Sequence, residues 1–289
     1  MFGEYVAGLS YSGDIIRTAV LKLKKDGPVL CLLAEEKNGA RAGLWFLRPI
    51  LEPRLRLMKK ISAISVGVDD GSVFYHSFPL DRSDTAVDRN EQTDWELGQF
   101  IGGYLPAEFI KEIRVLSSDA GAKTQEILVV AANRAFVRDI QSRVLRKNLR
   151  LQVIETNFFS ASYALSANYP DAEMKKVLLA TVEAERADAG VFNRGTLERH
   201  LCARVESHED VVDLLVRTSG GRNVDEIFLS GGGATHALAL TARQQLGRSV
   251  EMLNPVRRLK LKGRYARNNE FAGLEHRFAS VIGCALRKQ

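Results

Sequence analysis

VDEIFLSGGGATHALALTARQQLG, residues 224–247, decides how the rest of this chain is read. An apolar run of strand length, VDEIFLS, enters three consecutive glycines, Gly231, Gly232 and Gly233, and a helical pattern follows that Gly247 closes as a left-handed cap. A glycine triplet alone is a backbone device. Set between a strand and a helix, it marks a turn that another group can approach closely. Upstream, KVLLATVEA (176–184), DAGVFNRG (188–195) and TLERHLCARV (196–205) read as a meander of three strands, with Asn193-Arg194-Gly195 as a hairpin turn. EDVVDLLVRTS (209–219) is a helix between that meander and the glycine strand. Downstream, SVEMLNP (249–255) reads as the last strand and EFAGLEHRFASVIGCALRK (270–288) as a closing helix.

The amino-terminal half begins with the same kind of unit. YVAGLS (5–10) and IIRTAVLK (15–22) flank Tyr11-Ser12-Gly13-Asp14, and PVLCLLAEE (28–36) supplies a third strand. Residues 44–60 have helical spacing interrupted by Pro49 and Pro53. ISAISVGV (61–68) and SVFYHSFPL (72–80) read as strands, with Asp69-Asp70-Gly71 between them as a hairpin turn. A helix is expected from Asp84 to Leu105, with Trp95, Leu97, Phe100, Ile101 and Tyr104 at helical intervals. Two further strands, 110–118 and 123–133, meet at Asp119–Ala122, and residues 136–148 form a helix faced by Phe136, Ile140 and Val144. LQVIETN is again a strand, and the helix after it ends before Pro170.

Composition narrows the function classes. The chain has 289 residues, 45% of them hydrophobic and 26% charged, enough for a folded two-domain protein. Its longest apolar runs, such as Val29 to Ala34, are far shorter than the ~20 residues of a membrane span. MFGEYVAGLSYSGD lacks the order of an export signal, which predicts a cytoplasmic protein. Cys31, Cys202 and Cys284 are dispersed in apolar or strand-like contexts and are expected to be buried thiols. The five histidines are also dispersed, and no metal site is expected. Net charge is +6, and the densest basic run comprises Arg257, Arg258, Lys260, Lys262, Arg264 and Arg267. Acidic lipid is one candidate for that run. Nucleic acid is disfavoured, because only Tyr265 supplies an aromatic to stack a base.

Taken in order, these segments resemble the type IV pilus assembly protein PilM family of the actin-like superfamily, which is related to the division protein FtsA and the cytoplasmic part of the secretion protein GspL. The resemblance rests on SVFYHSFPL, EILVVAANRAFVRDI, LQVIETNFFSASYAL, IFLSGGGA and FASVIGCALR, and it extends over nearly the whole chain. It implies an α/β actin-like fold of two duplicated, ribonuclease H-like lobes. Residues 1–60 and 151–175 would form the first lobe, 61–150 a small α+β subdomain inserted in it, and 176–289 a reduced second lobe. The helical subdomain that relatives insert in the second lobe is missing, since only about 20 residues separate Val205 from Val224. The cleft would then lack an apolar slot for a purine.

The resemblance also implies a nucleotide site at Ser12, Gly13, Gly231, Gly232 and Gly233, here vestigial. Relatives carry an aspartate in the first hairpin turn. This chain has Ser10 there and Ser12 at the turn glycine, and an uncharged hydroxyl does not organise a magnesium shell as a carboxylate does. In the second lobe Thr181 replaces the carboxylate and Glu183 replaces the glycine that cradles phosphate. At an effective dielectric near 20, two unit charges about 4 Å apart repel by roughly 4 kcal/mol, about a thousandfold in affinity. Arg186 and Arg194 are the candidates to offset that charge. The expectation is a pseudo-ATPase scaffold with no catalytic residues, in which ATP with magnesium is no longer a firm cofactor. Its partner would be the cytoplasmic tail of a PilN-like inner-membrane protein, held between the first lobe and its insert, with homo-oligomerisation a family trait. The competing classes are an ATP-binding or ATP-hydrolysing actin-like protein, for which Asp69, Asp70, Asp188 and Asp225 are the available carboxylates, and a protein that binds acidic lipid or nucleic acid.

Overall fold

The computed structural model describes residues 4–37, 60–68, 73–82, 86–117, 123–145, 149–221, 223–262 and 270–287. The expected helix over 44–60, the turns at Asp69–Gly71 and Asp119–Ala122, and Arg264, Tyr265 and Arg267 lie outside these residues, apart from Lys60.

Strand β1 (Glu4–Ser12) turns through Gly13, at φ 56°, into β2 (Ile15–Leu23), and β3 (Val29–Lys37) continues the meander. Next come β4 (Ile61–Val68) and, after the inserted elements, β8 (Arg150–Thr156), both running parallel to β1. β4 and β2 are buried along nearly their whole length, as strands covered on both faces must be. The second lobe repeats this plan with β9 (Lys176–Val182), β10 (Arg186–Asn193) and β11 (Thr196–Arg204) as the meander. β12 (Glu226–Ser230) and β13 (Val250–Met252) then lie parallel to β9. Arg194 and Gly195 both have positive φ, as the expected hairpin turn requires. Helix α4 (His208–Ser219), opened by a Ser207–Asp210 capping box, stands alone between β11 and β12. Thr235 caps α5 (His236–Leu246) at its start and Gly247, at φ 61°, ends it.

A third sheet of three strands has the order β5-β7-β6, from β5 (Val73–Asp81), β6 (Phe109–Ser117) and β7 (Thr124–Asn133). Helix α1 (Ala86–Phe100) covers it through Leu97 and the following Ile101, and α2 (Arg134–Leu145) leads back to β8. The expected face of α1 is corrected here. Trp95 is 63% exposed and Phe100 49%, whereas Thr93 and Leu97 are fully buried, because residues four apart share a helix face and Trp95 falls on another.

Four further expectations are corrected. β4 and β5 do not form a hairpin: β4 pairs with β1 and β8 in the large sheet, while β5 pairs with β7. SVEMLNP is not the last strand, since β14 (Lys260–Leu261) adds to β3 and completes the first sheet, ordered β14-β3-β2-β1-β4-β8. The closing helix is shorter than expected, a single-turn 3-10 segment at Glu275–Phe278 followed by α6 (Ala279–Leu286). Of the cysteines, only Cys284 is buried; Cys31 is half-buried and Cys202 exposed on β11.

α6 crosses back to the first sheet. It packs on β1, β2, β4 and α3 (Asn157–Asn168), and seven of its eight residues are buried. Gly8 and Gly283 permit this contact. A Cβ on Gly8 would strike the Val281 carbonyl oxygen, and one on Gly283 the Ser160 carbonyl oxygen. The main core joins the lobes, with Phe158 and Phe159 of α3 packing with Leu179 and Phe228 of the second sheet.

Candidate functional site

Two duplicated hairpins and the glycine turn converge at the junction of the lobes. Arg17 on β2 is opposite Ser10 of β1 and is 1% exposed. Its Nε donates to Glu35 Oε2 on β3 at 2.7 Å, and its Nη1 donates to Glu183 Oε1 and Oε2 at 3.0 and 3.2 Å. Glu183, 5% exposed, sits just past β9 in the second lobe and accepts a further bond from the Gly232 backbone N–H at 3.2 Å. Burial alone would favour neutral Arg17; the flanking Glu183 and Glu35 outweigh it and raise its pKa. Arg277 extends the chain of charges, with Nη1 3.5 Å from Glu35.

The glycine triplet is packed against protein. Gly231, at φ 93°, donates its N–H to the His276 carbonyl at 3.1 Å, and Gly233 donates to the Val182 carbonyl at 2.9 Å. A Cβ on Gly233 would lie 2.7 Å from the Glu183 carbonyl oxygen, and one on Gly232 would collide with the Arg17 guanidinium. The missing side chains therefore let the turn lie on the end of β9 and leave room for Arg17. Burial pushes the His276 imidazole down to about 4, and its Nε2 is 3.1 Å from the Ala234 carbonyl oxygen.

Ser12, 8% exposed, ends β1, and Gly13 faces open space. Thr181 Oγ1 lies 3.1 Å from Ser230 Oγ, which itself lies 3.1 Å from the Ala180 carbonyl oxygen. Asp188 is buried and paired. Burial opposes its charge, but His200, 3.4 Å away, and Arg186, which donates at 3.1 and 3.3 Å, together hold its pKa below the usual range. Asp225 accepts the Lys176 backbone N–H at 2.8 Å, and Asp69 and Asp70 lie outside the described residues. Of the two expected partners, Arg186 donates its guanidinium to Asp188 and accepts the Glu183 backbone N–H at its carbonyl at 2.8 Å, and Arg194 is a turn residue. Arg17 is the residue that meets the Glu183 carboxylate. Its signal in the sequence was a lone arginine inside the apolar strand IIRTAVL, which a buried strand carries only if the charge is paired.

A second feature is a pocket of about 140 Å³ between the small sheet and the ends of β4 and β8. Val68, Ile110, Ala132 and Phe159 give it apolar walls, and Arg114 and Glu155 give it a polar side. Arg114 Nη2 donates to Glu155 Oε1 at 3.0 Å and its guanidinium lies 3.8 Å over the Phe159 ring. Burial raises the Glu155 pKa; Arg287, which also pairs with it, and Arg114 act in the opposite direction. β6 is an edge strand of its sheet. Ile110 and Val115, 40% and 48% exposed, are among its outward residues.

By sequence, no protein family and no characterised protein matches the chain. By structure, it is similar to a protein solved in a "PilM-PilN type IV pilus biogenesis complex", with a TM-score of 0.79, 14% identity and 98% of each chain covered. It is also similar to a Bacteroides thetaiotaomicron protein described as having an actin-like ATPase fold, at a TM-score of 0.54, 12% identity and coverage of 86% of this chain and 91% of that one. The chain has the actin-like fold. The cytoplasmic domain of EpsL, an inner-membrane component of the Vibrio cholerae type II secretion system, is a further match, at a TM-score of 0.50, 10% identity and 80% and 84% coverage.

The actin-like fold implies a nucleotide with magnesium between the lobes, and the residues here do not fit one. Ser10 and Thr181 bring only hydroxyls, and Glu183 already accepts the backbone N–H of the glycine turn. Arg17, the cation nearest that turn, is held by two carboxylates. Among the described residues no three His, Cys, Asp or Glu side chains cluster to hold a metal ion, and no helix is long and apolar enough to cross a membrane. In the basic run, Lys260 pairs with Asp26 at 2.6 Å and Arg257 lies 4.7 Å over the Tyr169 ring, so two of its cations are already engaged within the protein.

Proposed function

We propose that this chain is a PilM-like scaffold of a type IV pilus or related secretion assembly platform, acting at the cytoplasmic side of the inner membrane without hydrolysing ATP. Its ligand in this reading is an extended segment from the cytoplasmic tail of a PilN-like membrane protein. The observation that carries the proposal is the pocket between the small sheet and the first lobe, in a chain whose fold resembles that of a PilM-PilN complex. An apolar side chain of the tail would enter between Val68 and Phe159, while Arg114 and Glu155 offer both hydrogen-bond polarities to its backbone. In this reading the units are those expected, 1–60 with 151–175, the insert 61–150 and the second lobe 176–289, except that β4 is counted with the first lobe, whose sheet it joins, and β14 and α6 return to that lobe from the last stretch. The Arg17–Glu183 pair supports the non-hydrolytic part of the reading, because the carboxylate that meets the glycine turn is held in a buried ion pair.

The test is titration of a labelled amino-terminal peptide, taken from a PilN-like protein encoded beside this chain, by fluorescence anisotropy. Binding to the wild type is expected, and the Ala132→Trp variant, whose indole fills the pocket, should bind at least about tenfold more weakly, a loss of about 1.4 kcal/mol. Absence of binding by the wild type, or equal binding by a folded Ala132→Trp variant, would count against the scaffold reading. Phosphate release from ATP with magnesium above the buffer rate, abolished in a Gly232→Val variant, would favour the ATPase alternative.

A further inference from the structure

We propose that Glu183 is a built-in anion occupying a phosphoanion seat between the two lobes, and that removing its carboxylate exposes a receptor for phosphate or pyrophosphate. The groups around the carboxylate are those a protein uses to hold a phosphate: a guanidinium able to donate to both oxygens, and a backbone N–H in a glycine turn. The seat is buried and shaped. Arg17 is 1% exposed, Glu183 is 5% exposed, and a Cβ at position 232 would lie 2.1 Å from Arg17 Nη2, so the guanidinium would have to shift.

The contact spans 166 residues of sequence and ties β2 and β3 of the first lobe to the β9–β10 turn and glycine triplet of the second. A phosphate lying between the lobes would make the same connection from outside. Here the chain supplies the anion itself, so lobe closure needs no small molecule. Without Glu183, the buried Arg17 guanidinium keeps one of its two carboxylate partners, Glu35, which Arg277 also approaches. The lost partner is what a phosphoanion would replace.

Thermal unfolding of three folded proteins tests this: wild type, Glu183→Ala, and the double variant Arg17→Met with Glu183→Ala. Each is measured in millimolar sodium pyrophosphate and in sodium chloride of equal ionic strength. The proposal expects pyrophosphate to raise the midpoint of Glu183→Ala by about 2–4 °C, and to leave the wild type and the double variant unmoved. A parallel measurement with ATP separates sources. A rise with pyrophosphate, whether or not ATP matches it, supports the proposal. No rise in Glu183→Ala, or an equal rise in all three proteins, overturns it. Should Glu183→Ala not fold, Glu183→Ser, which also empties the seat, carries the test: pyrophosphate must raise its midpoint above the wild-type response or the idea fails. The outcome is independent of whether any partner peptide binds.

Discussion

Arg17 and Gly283 show how much a single position can carry in this fold. Arg17 was legible only as an oddity, a cation in an apolar strand, and nothing local could name Glu183 as its partner. Burying an arginine is tolerated when carboxylates on both sides restore what water would have supplied. Gly283 is a steric requirement: on α6 it faces the Ser160 carbonyl of α3, where any Cβ would overlap a backbone atom that cannot swing away. Gly283→Ala should therefore lower stability by about 1–3 kcal/mol, with the two helices forced apart. Gly102→Ala, at an exposed glycine with nothing within 4 Å of the added methyl, should stay within about 0.5 kcal/mol of the wild type. Urea denaturation of the two variants distinguishes them, and equal midpoints would refute the close-packing account.

At the scale of elements, the strand and helix periods were readable wherever one face is buried. α4, α5 and the three strands of each meander lie where their apolar patterns and glycine turns put them. Sheet membership was not readable. The β4 sequence, ISAISVGV, is apolar enough for any central strand, and its neighbour β5 lies in a different sheet. The 3-10 segment Glu275–Phe278 is an element whose stability titrates. His276 is held near 4 by burial, whereas in the unfolded chain it protonates near 6.5, so the unfolded state binds the extra proton in between. This group's contribution is complete above about pH 6.5 and declines as pH falls toward 4, with a slope of up to about 1.4 kcal/mol per pH unit. Urea midpoints across that range should fall with acid, and His276→Gln should flatten the dependence. An unchanged slope in the variant would show that other groups set it.

For the whole molecule, the last helix is part of the first lobe's core. α6 packs on β1, β2 and β4, the earliest strands of the large sheet, so their inner face is not covered until the final residues join. A chain ending at Lys262 should fail to form a cooperative fold, losing its near-ultraviolet dichroism and its sharp thermal transition; a native-like transition in that truncation would contradict this role. The sequence by itself determined most of the element order, the duplicated meanders and the glycine turn, because each is a local pattern of period or turn residue. Only the tertiary structure decided that Glu183 meets Arg17, that β4 joins β1 and β8, that α6 returns to the first lobe, and that a pocket opens beside Arg114 and Glu155. These are contacts between residues far apart in the chain. Period and propensity set which face of an element is apolar, but which face it meets is decided by how the lobes bury their apolar surface together and pair the charges they enclose.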